Sequence, residues 1–212
     1  MSRYTYTLRS DRQEEPVHTY KRNELEKMTT FHLREICRKE KLVVSSLHFA
    51  CYVLADSLDE EPSVNTARLV VESIIRDFTE APSLGKGHLK RMVHRAHTEL
   101  LKQKKGMHLK ASFVIAVTDY RKIRYAYVGN NRYYLIRNAR ILERTKDQSL
   151  TSHLAGSGQI PLDQVSVHEE RNNLYSFLGE RGTPRLQISR KRKLENGDIF
   201  FVHQGSMGTV PG

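Results

Sequence analysis

The sequence is short of the features that would make it a secreted, membrane-bound or disulfide-stapled protein. It has two cysteines, Cys37 and Cys51, in 212 residues. They have neither metal-site spacing nor a disulfide framework, which points to a reducing, cytoplasmic setting. Long apolar runs are missing too. The longest, such as Phe113–Val117, are strand-sized and far too short to span a bilayer, so no membrane partner is expected. The first residues carry no apolar signal-peptide core. Neither a P-loop nor a Gly-x-Gly-x-x-Gly turn is present, which excludes the common nucleotide-binding signatures. Neither cysteine has a neighbouring histidine in a glycine-rich turn, so no thiol nucleophile is indicated.

Negative charge is the other scarcity. Lys and Arg number 35 against 24 Asp and Glu, a formal net charge of +11. The basic residues gather at Arg38–Lys41, Lys102–Lys105 and Arg190–Lys193. Such clusters suit a nucleic acid or a phosphorylated protein, and they equally suit a solvated basic surface. Aromatics rarely interleave with them, so base stacking is not supported.

What is present reads as α+β. Tyr4–Leu8 alternates as a strand. Residues 11–23 form a polar stretch with turn character at Pro16. From Glu24 to Lys41 the period is helical, with Leu33, Ile36 and Cys37 on one stripe after a Thr29–Thr30 cap. Leu47–Ala55 reads as a buried strand. Ser63 caps an amphipathic helix through Phe78, and His88–Lys104 makes a second. Strands follow at Ala111–Thr118, Ile123–Gly129, Arg132–Arg137 and Arg140–Arg144, then short helical pieces at Leu150–Ala155 and Pro161–Val165. The last strands are Arg185–Ser189 and Ile199–His203. Helices packed on an antiparallel sandwich are the expected architecture. Its core is expected to include Phe49, Tyr52, Val53, Leu54, Val70, Ile74, Phe78, Phe113, Ile115, Val117, Tyr127, Leu135, Ile136 and Phe200.

The order of several motifs carries a resemblance. Lys110–Ser112, Val128-Gly-Asn-Asn-Arg132, Thr145-Lys-Asp-Gln-Ser149, Gly158–Pro161, His168–Leu174 and Gly197–Asp198 follow one another as the strand, hairpin and turn motifs of the protein phosphatase 2C family do. Upstream, Phe49–Phe78 is similar to that family's metal-bearing strand and long helix. The chain as a whole resembles one such domain, with residues 20–44 similar to a SAP-type helical insert. The resemblance implies a phosphatase fold in which paired Mg²⁺ or Mn²⁺ ions, held by carboxylates, activate a bridging water.

The ligand positions are depleted. By resemblance, Arg9-Ser-Asp-Arg-Gln-Glu14 places Arg9 as a phosphate-binding residue and Glu14 where the family has its first aspartate. Asp56 is kept, but Ser57-Leu-Asp-Glu60 replaces the glycines after it. Gln204 stands where the family has another aspartate. The vestigial set is therefore Arg9, Glu14, Asp56 and Gln204, with Glu14 and Asp56 as weak metal candidates. The primary expectation is no catalytic residue, no cofactor and no metal: a non-catalytic, pseudophosphatase module for a protein partner, a phosphorylated protein or a kinase. The alternative is a metal-dependent serine/threonine phosphatase using Glu14 and Asp56 with Asp59 or Glu60. A second alternative is nucleic-acid binding through the basic insert. Asp56 is expected at a strand end near Glu14, in a cleft that also receives His203 and Gln204. Asn130 and Asn131 read as hairpin-turn residues, and His88, His94 and His97 as a solvated helix face.

Overall fold

The computed structural model describes residues 5–8, 18–21, 39–45, 48–59, 64–103, 108–165 and 167–203. Eleven strands appear among them. The larger sheet contains β1 (Thr5–Leu8), β2 (His18–Lys21), β3 (Lys39–Ser45), β4 (Ala50–Ser57), β5 (Ala111–Thr118) and β6 (Lys122–Val128), with the short β9 (Gln187–Ile188) and β10 (Arg192–Lys193) both pairing β6. Its order is β10-β6-β5-β4-β3-β1-β2, and every pairing is antiparallel. A second sheet has the order β11-β7-β8, from β7 (Arg132–Arg137), β8 (Arg140–Arg144) and β11 (Ile199–His203). The helices are α1 (Thr66–Glu80), α2 (Lys86–Gln103) and the short α3 (Leu150–Gly156). This is the α+β sandwich that the sequence led us to expect.

Strand alternation explains the layering. On β4 and β5, Cys51, Val53, Ala55, Phe113, Ile115 and Val117 face α1 and α2, which answer with residues such as Val70, Ile74, Phe78, Leu89 and Met92. Their neighbours Leu54, Val114 and Ala116 face the second sheet and meet Tyr133 and Leu135. A strand covered on both faces needs no polar side, so all eight residues of β5 are buried. Each fully buried Leu, Ile or Phe is worth roughly 1.5–3 kcal/mol relative to exposure. None of the fourteen expected core residues is exposed; Phe49, Tyr52, Ile136 and Phe200 sit at its margin.

Four local readings are corrected. Residues 39–41, read as the end of a helix, belong to β3, which is inserted between β1 and β4. Residues 20–21 and 39–44 of the SAP-like insert are likewise strand, and its stripe of Leu33, Ile36 and Cys37 lies outside the described residues. The β-branched Val43 and Val44 accept the strand because β1 and β4 supply the ladder on both sides. The polar stretch before Asn23 contains β2. Helix α1 is capped by Asn65, whose side chain accepts from the Arg68 N–H at 3.0 Å, and not by Ser63, which is outside the described residues. Finally, β10 went unread, because Arg192–Lys193 has no apolar alternation and forms only against β6.

The β7–β8 hairpin turns at Asn138 and Ala139, whose φ angles are 49° and 57°. Two successive left-handed residues suit the twist of a two-residue hairpin. Asparagine tolerates that conformation, whereas alanine is strained by about 1 kcal/mol or more. Ala139→Gly is expected to stabilise the domain by about 0.5–1 kcal/mol net of its unfolded-state entropy, raising Tm by roughly 1–4 °C in a thermal melt.

Candidate functional site

Four strand termini meet at one end of the sandwich. The pairing register sets Asp56, near the end of β4, opposite Ser112, near the start of β5. The Nδ2 of Asn131, which precedes β7, donates to the Ser112 Oγ at 2.9 Å. Arg132 follows at once and lies opposite His203, the last residue of β11. Asp56 is half-buried and shares its strand face with Tyr52 and Leu54, towards the second sheet. The strand-end placement expected for Asp56 is therefore met, and His203 closes the same end. Arg9, Glu14, Glu60 and Gln204 lie outside the described residues.

The segment after Asp56 is tied to its surroundings. The Ser57 Oγ accepts from the Ala67 N–H at the start of α1, at 2.9 Å. The Leu58 N–H donates to the Lys110 carbonyl at 2.8 Å, and an Asp59 carboxylate oxygen accepts the Lys110 N–H at 2.8 Å. Asp59 is thus engaged in holding the β4–α1 loop against the strand leading into β5.

The asparagines are not surface turn residues. Residues 129–131 carry the chain from the first sheet to the second, and Asn130 and Asn131 are both buried. Gly129 has a φ of 95°, and a Cβ there would stand 2.5 Å from the Ser112 Cβ, so only glycine allows the two strands to approach. Gln148 fastens this crossing. Its Oε1 accepts the Gly129 N–H at 2.9 Å, its own N–H donates to the Gly129 carbonyl at 3.0 Å, and its Nε2 donates to the Arg185 carbonyl at 2.7 Å. Beside it Arg132 and Asp147 form a two-pronged ion pair at 2.8 and 2.7 Å, largely shielded from water. The motifs at 128–132 and 145–149 are therefore two halves of one polar clasp, and the pairing is a tertiary fact that spacing alone does not show.

The helix histidines part company. His94 is exposed, but His97 is buried. The His97 Nδ1 accepts the Gly179 N–H at 3.2 Å, which leaves Nε2 protonated to donate to the Gly182 carbonyl at 3.0 Å. Burial holds its pKa below the ordinary histidine range; the Gly182 hydrogen bond acts the other way, and His94 adds to the lowering. The expected solvated face is corrected at this position, because the fold brings a loop more than eighty residues away onto α2. Cys51 is fully buried and its thiol pKa is pushed up by burial, which agrees with the lack of a thiol nucleophile.

No family model matches the chain. Protein phosphatase PhpP of Streptococcus pneumoniae is 31% identical over 94 residues, 44% of this chain and 37% of that protein. A putative protein phosphatase 2C-type of Streptococcus pyogenes is 28% identical over 85 residues, 39% of this chain and 33% of its own length. The sequence match thus spans little more than a third of these curated relatives. Fold similarity reaches further. The S. agalactiae serine/threonine phosphatase superposes with a TM-score of 0.70 at 15% identity, over 94% of this chain and 78% of that one. The chain has the protein phosphatase 2C-like fold. The catalytic domain of the serine/threonine phosphatase PstP, solved in complex with two manganese ions, shares this PPM fold with a TM-score of 0.65 at 15% identity, over 95% of this chain and 77% of that one.

The expectation of no cofactor is corrected by that structure, a neighbour of the same fold that holds two manganese ions. Among the described residues no three of His, Cys, Asp and Glu gather as a metal-holding group. The described part of the site offers Asp56 and an Asp59 already bound to a backbone N–H. Two hard divalent cations need several carboxylate oxygens, so these residues alone do not fit a two-metal centre. Among the described residues, no helix is long and apolar enough to cross a membrane.

The His97 contact gives this domain a pH dependence. With its folded pKa lowered, the unfolded chain binds the proton more readily, so stability falls as pH drops through about 6.5, the unfolded value. Urea melts between pH 7.5 and 5 are expected to show this loss, and His97→Gln to flatten it. An imidazole NMR titration should find His97 still neutral below about pH 6.5.

Proposed function

We propose that this PPM domain is a regulatory module that recognises phosphorylated serine/threonine segments of a partner protein, and that it does so at the end of the sandwich where β4, β5, β7 and β11 terminate. The observation that carries this reading is the ligand set. Asp56 is the carboxylate that the described residues leave at the family's metal-bearing strand, with Gln204 and the Ser57–Glu60 segment replacing further family ligands and glycines in sequence. The frame for handling phosphoprotein is retained while the machinery for activating water is reduced.

The charge distribution supports an anionic partner. Pairing of β10 with β6 places Lys193 directly opposite Lys122 and Arg192 opposite Ile123, so exposed basic residues distant in sequence are brought together at one side of the sheet. Like charges placed opposite each other cost stability, and an anionic partner relieves that cost. A phosphorylated kinase or kinase substrate meets this description. A nucleic acid offers the same charge, but the surface gives it few aromatic platforms.

A second reading is supported by the relatives. PhpP and the fold neighbours are named as phosphatases, and PstP binds manganese. On this reading the domain is a metal-dependent serine/threonine phosphatase in which Glu14 and Asp56, with Asp59 or Glu60, hold the cation. One experiment separates the two. Phosphothreonine peptide and p-nitrophenyl phosphate are incubated with the protein in millimolar Mn²⁺ or Mg²⁺, beside Asp56→Ala. The module reading expects peptide binding by calorimetry and no metal-dependent turnover above background in either protein. Metal-dependent turnover abolished by Asp56→Ala would establish the enzyme instead. Absence of both binding and turnover, with a salt-sensitive gel shift on DNA, would transfer the function to nucleic acid.

A further inference from the structure

The loop from Gly179 to Arg185 is held far more firmly than an exposed connection requires. His97, buried under it, accepts from the Gly179 N–H and donates to the Gly182 carbonyl. Gln148, also buried, donates to the Arg185 carbonyl at 2.7 Å, and the Arg185 N–H donates to the Ser176 Oγ at 2.9 Å. Gly179 is seated so tightly that a Cβ would fall 2.0 Å from the Leu109 carbonyl oxygen, at a φ of 88°. Burying His97 and Gln148 costs desolvation; both ring nitrogens of His97 and the Nε2 of Gln148 are used to fix this loop, while the Gln148 Oε1 holds Gly129.

The fixed loop borders an open pocket of about 90 Å³, lined by Tyr175, Ser176, Arg181, Gly182, Thr183 and Arg185, with Glu180 at its wall. Neither Arg181 nor Arg185 is in an ion pair among the described residues, and both are exposed. The Arg185 guanidinium stands over the Tyr175 ring, 5.3 Å from its centroid, which restricts its direction. Two guanidiniums face one carboxylate, so the lining is net cationic. The loop also begins at the right place. Leu178 bridges Ala111, the neighbour of Ser112, which lies opposite Asp56.

We infer that this loop is an oxyanion site that takes a phosphate monoester, with Arg181 and Arg185 supplying charge-assisted hydrogen bonds and Thr183 a hydroxyl. The inference deepens the phosphoprotein reading by giving the phosphate a location built from residues outside the metal-bearing strand. The hydrogen bonds fix the loop backbone that carries both arginines, and the Tyr175 ring restricts Arg185, so less backbone freedom is lost on binding.

The test is a ¹⁵N NMR titration of the whole chain at low ionic strength, with orthophosphate, a phosphothreonine peptide and its unphosphorylated twin. We expect orthophosphate and the phosphopeptide to shift the Gly182 and Thr183 amides saturably, and the twin to leave them in place. Arg181→Ala/Arg185→Ala, two exposed side chains whose loss leaves the backbone hydrogen bonds, should weaken both by at least about tenfold. Asp56→Asn should leave the orthophosphate shifts intact. Shifts that persist in the double variant, that vanish in Asp56→Asn, or that never appear would overturn the site. Orthophosphate binding without phosphopeptide binding would uphold the site for free phosphate and count against the phosphoprotein reading.

Discussion

The structure depends on one strand being buried on both faces. Every residue of Ala111–Thr118 is inaccessible, with α1 and α2 against one side and the second sheet against the other. That requirement sets the order of the layers and places β4 beside β5 with Asp56 opposite Ser112. It also explains why the polar groups collect at the strand ends. An apolar two-sided strand leaves no room for them along its length, so the chemistry of the domain is confined to its rim.

At that rim the protein uses buried hydrogen bonds for position. Gln148 and the Arg132–Asp147 pair close the crossing between the sheets, while His97 and Gln148 together hold the loop that carries Arg181 and Arg185. Several motifs that resemble a phosphatase signature are thus structural fasteners in this chain. Their persistence follows from what the fold needs, independently of whether water is activated nearby.

Much of the fold was legible. Phe113, Ile115 and Val117, and the helical stripe through Val70, Ile74 and Phe78, declare their buried faces by period alone. Residues 39–41 read as helix because the β3 strand forms only through pairing with β1 and β4, which local pattern does not contain. Asn130 and Asn131 carry turn chemistry, yet they sit inside a crossing between sheets. His97 looked like one of three surface histidines until a distant loop covered it.

The sequence by itself determined most of the elements, their apolar faces and the basic balance, since each depends on residue type and near-neighbour spacing. The tertiary structure alone decided which polar residues meet. Arg132 reaches Asp147, Gln148 reaches Gly129 and Arg185, His97 reaches Gly179 and Gly182, and Lys193 faces Lys122. The physical reason is range. Burial and propensity act on a residue through its immediate neighbours, whereas a hydrogen bond or an ion pair requires two groups within about 3 Å, and only the folded chain brings such distant groups together.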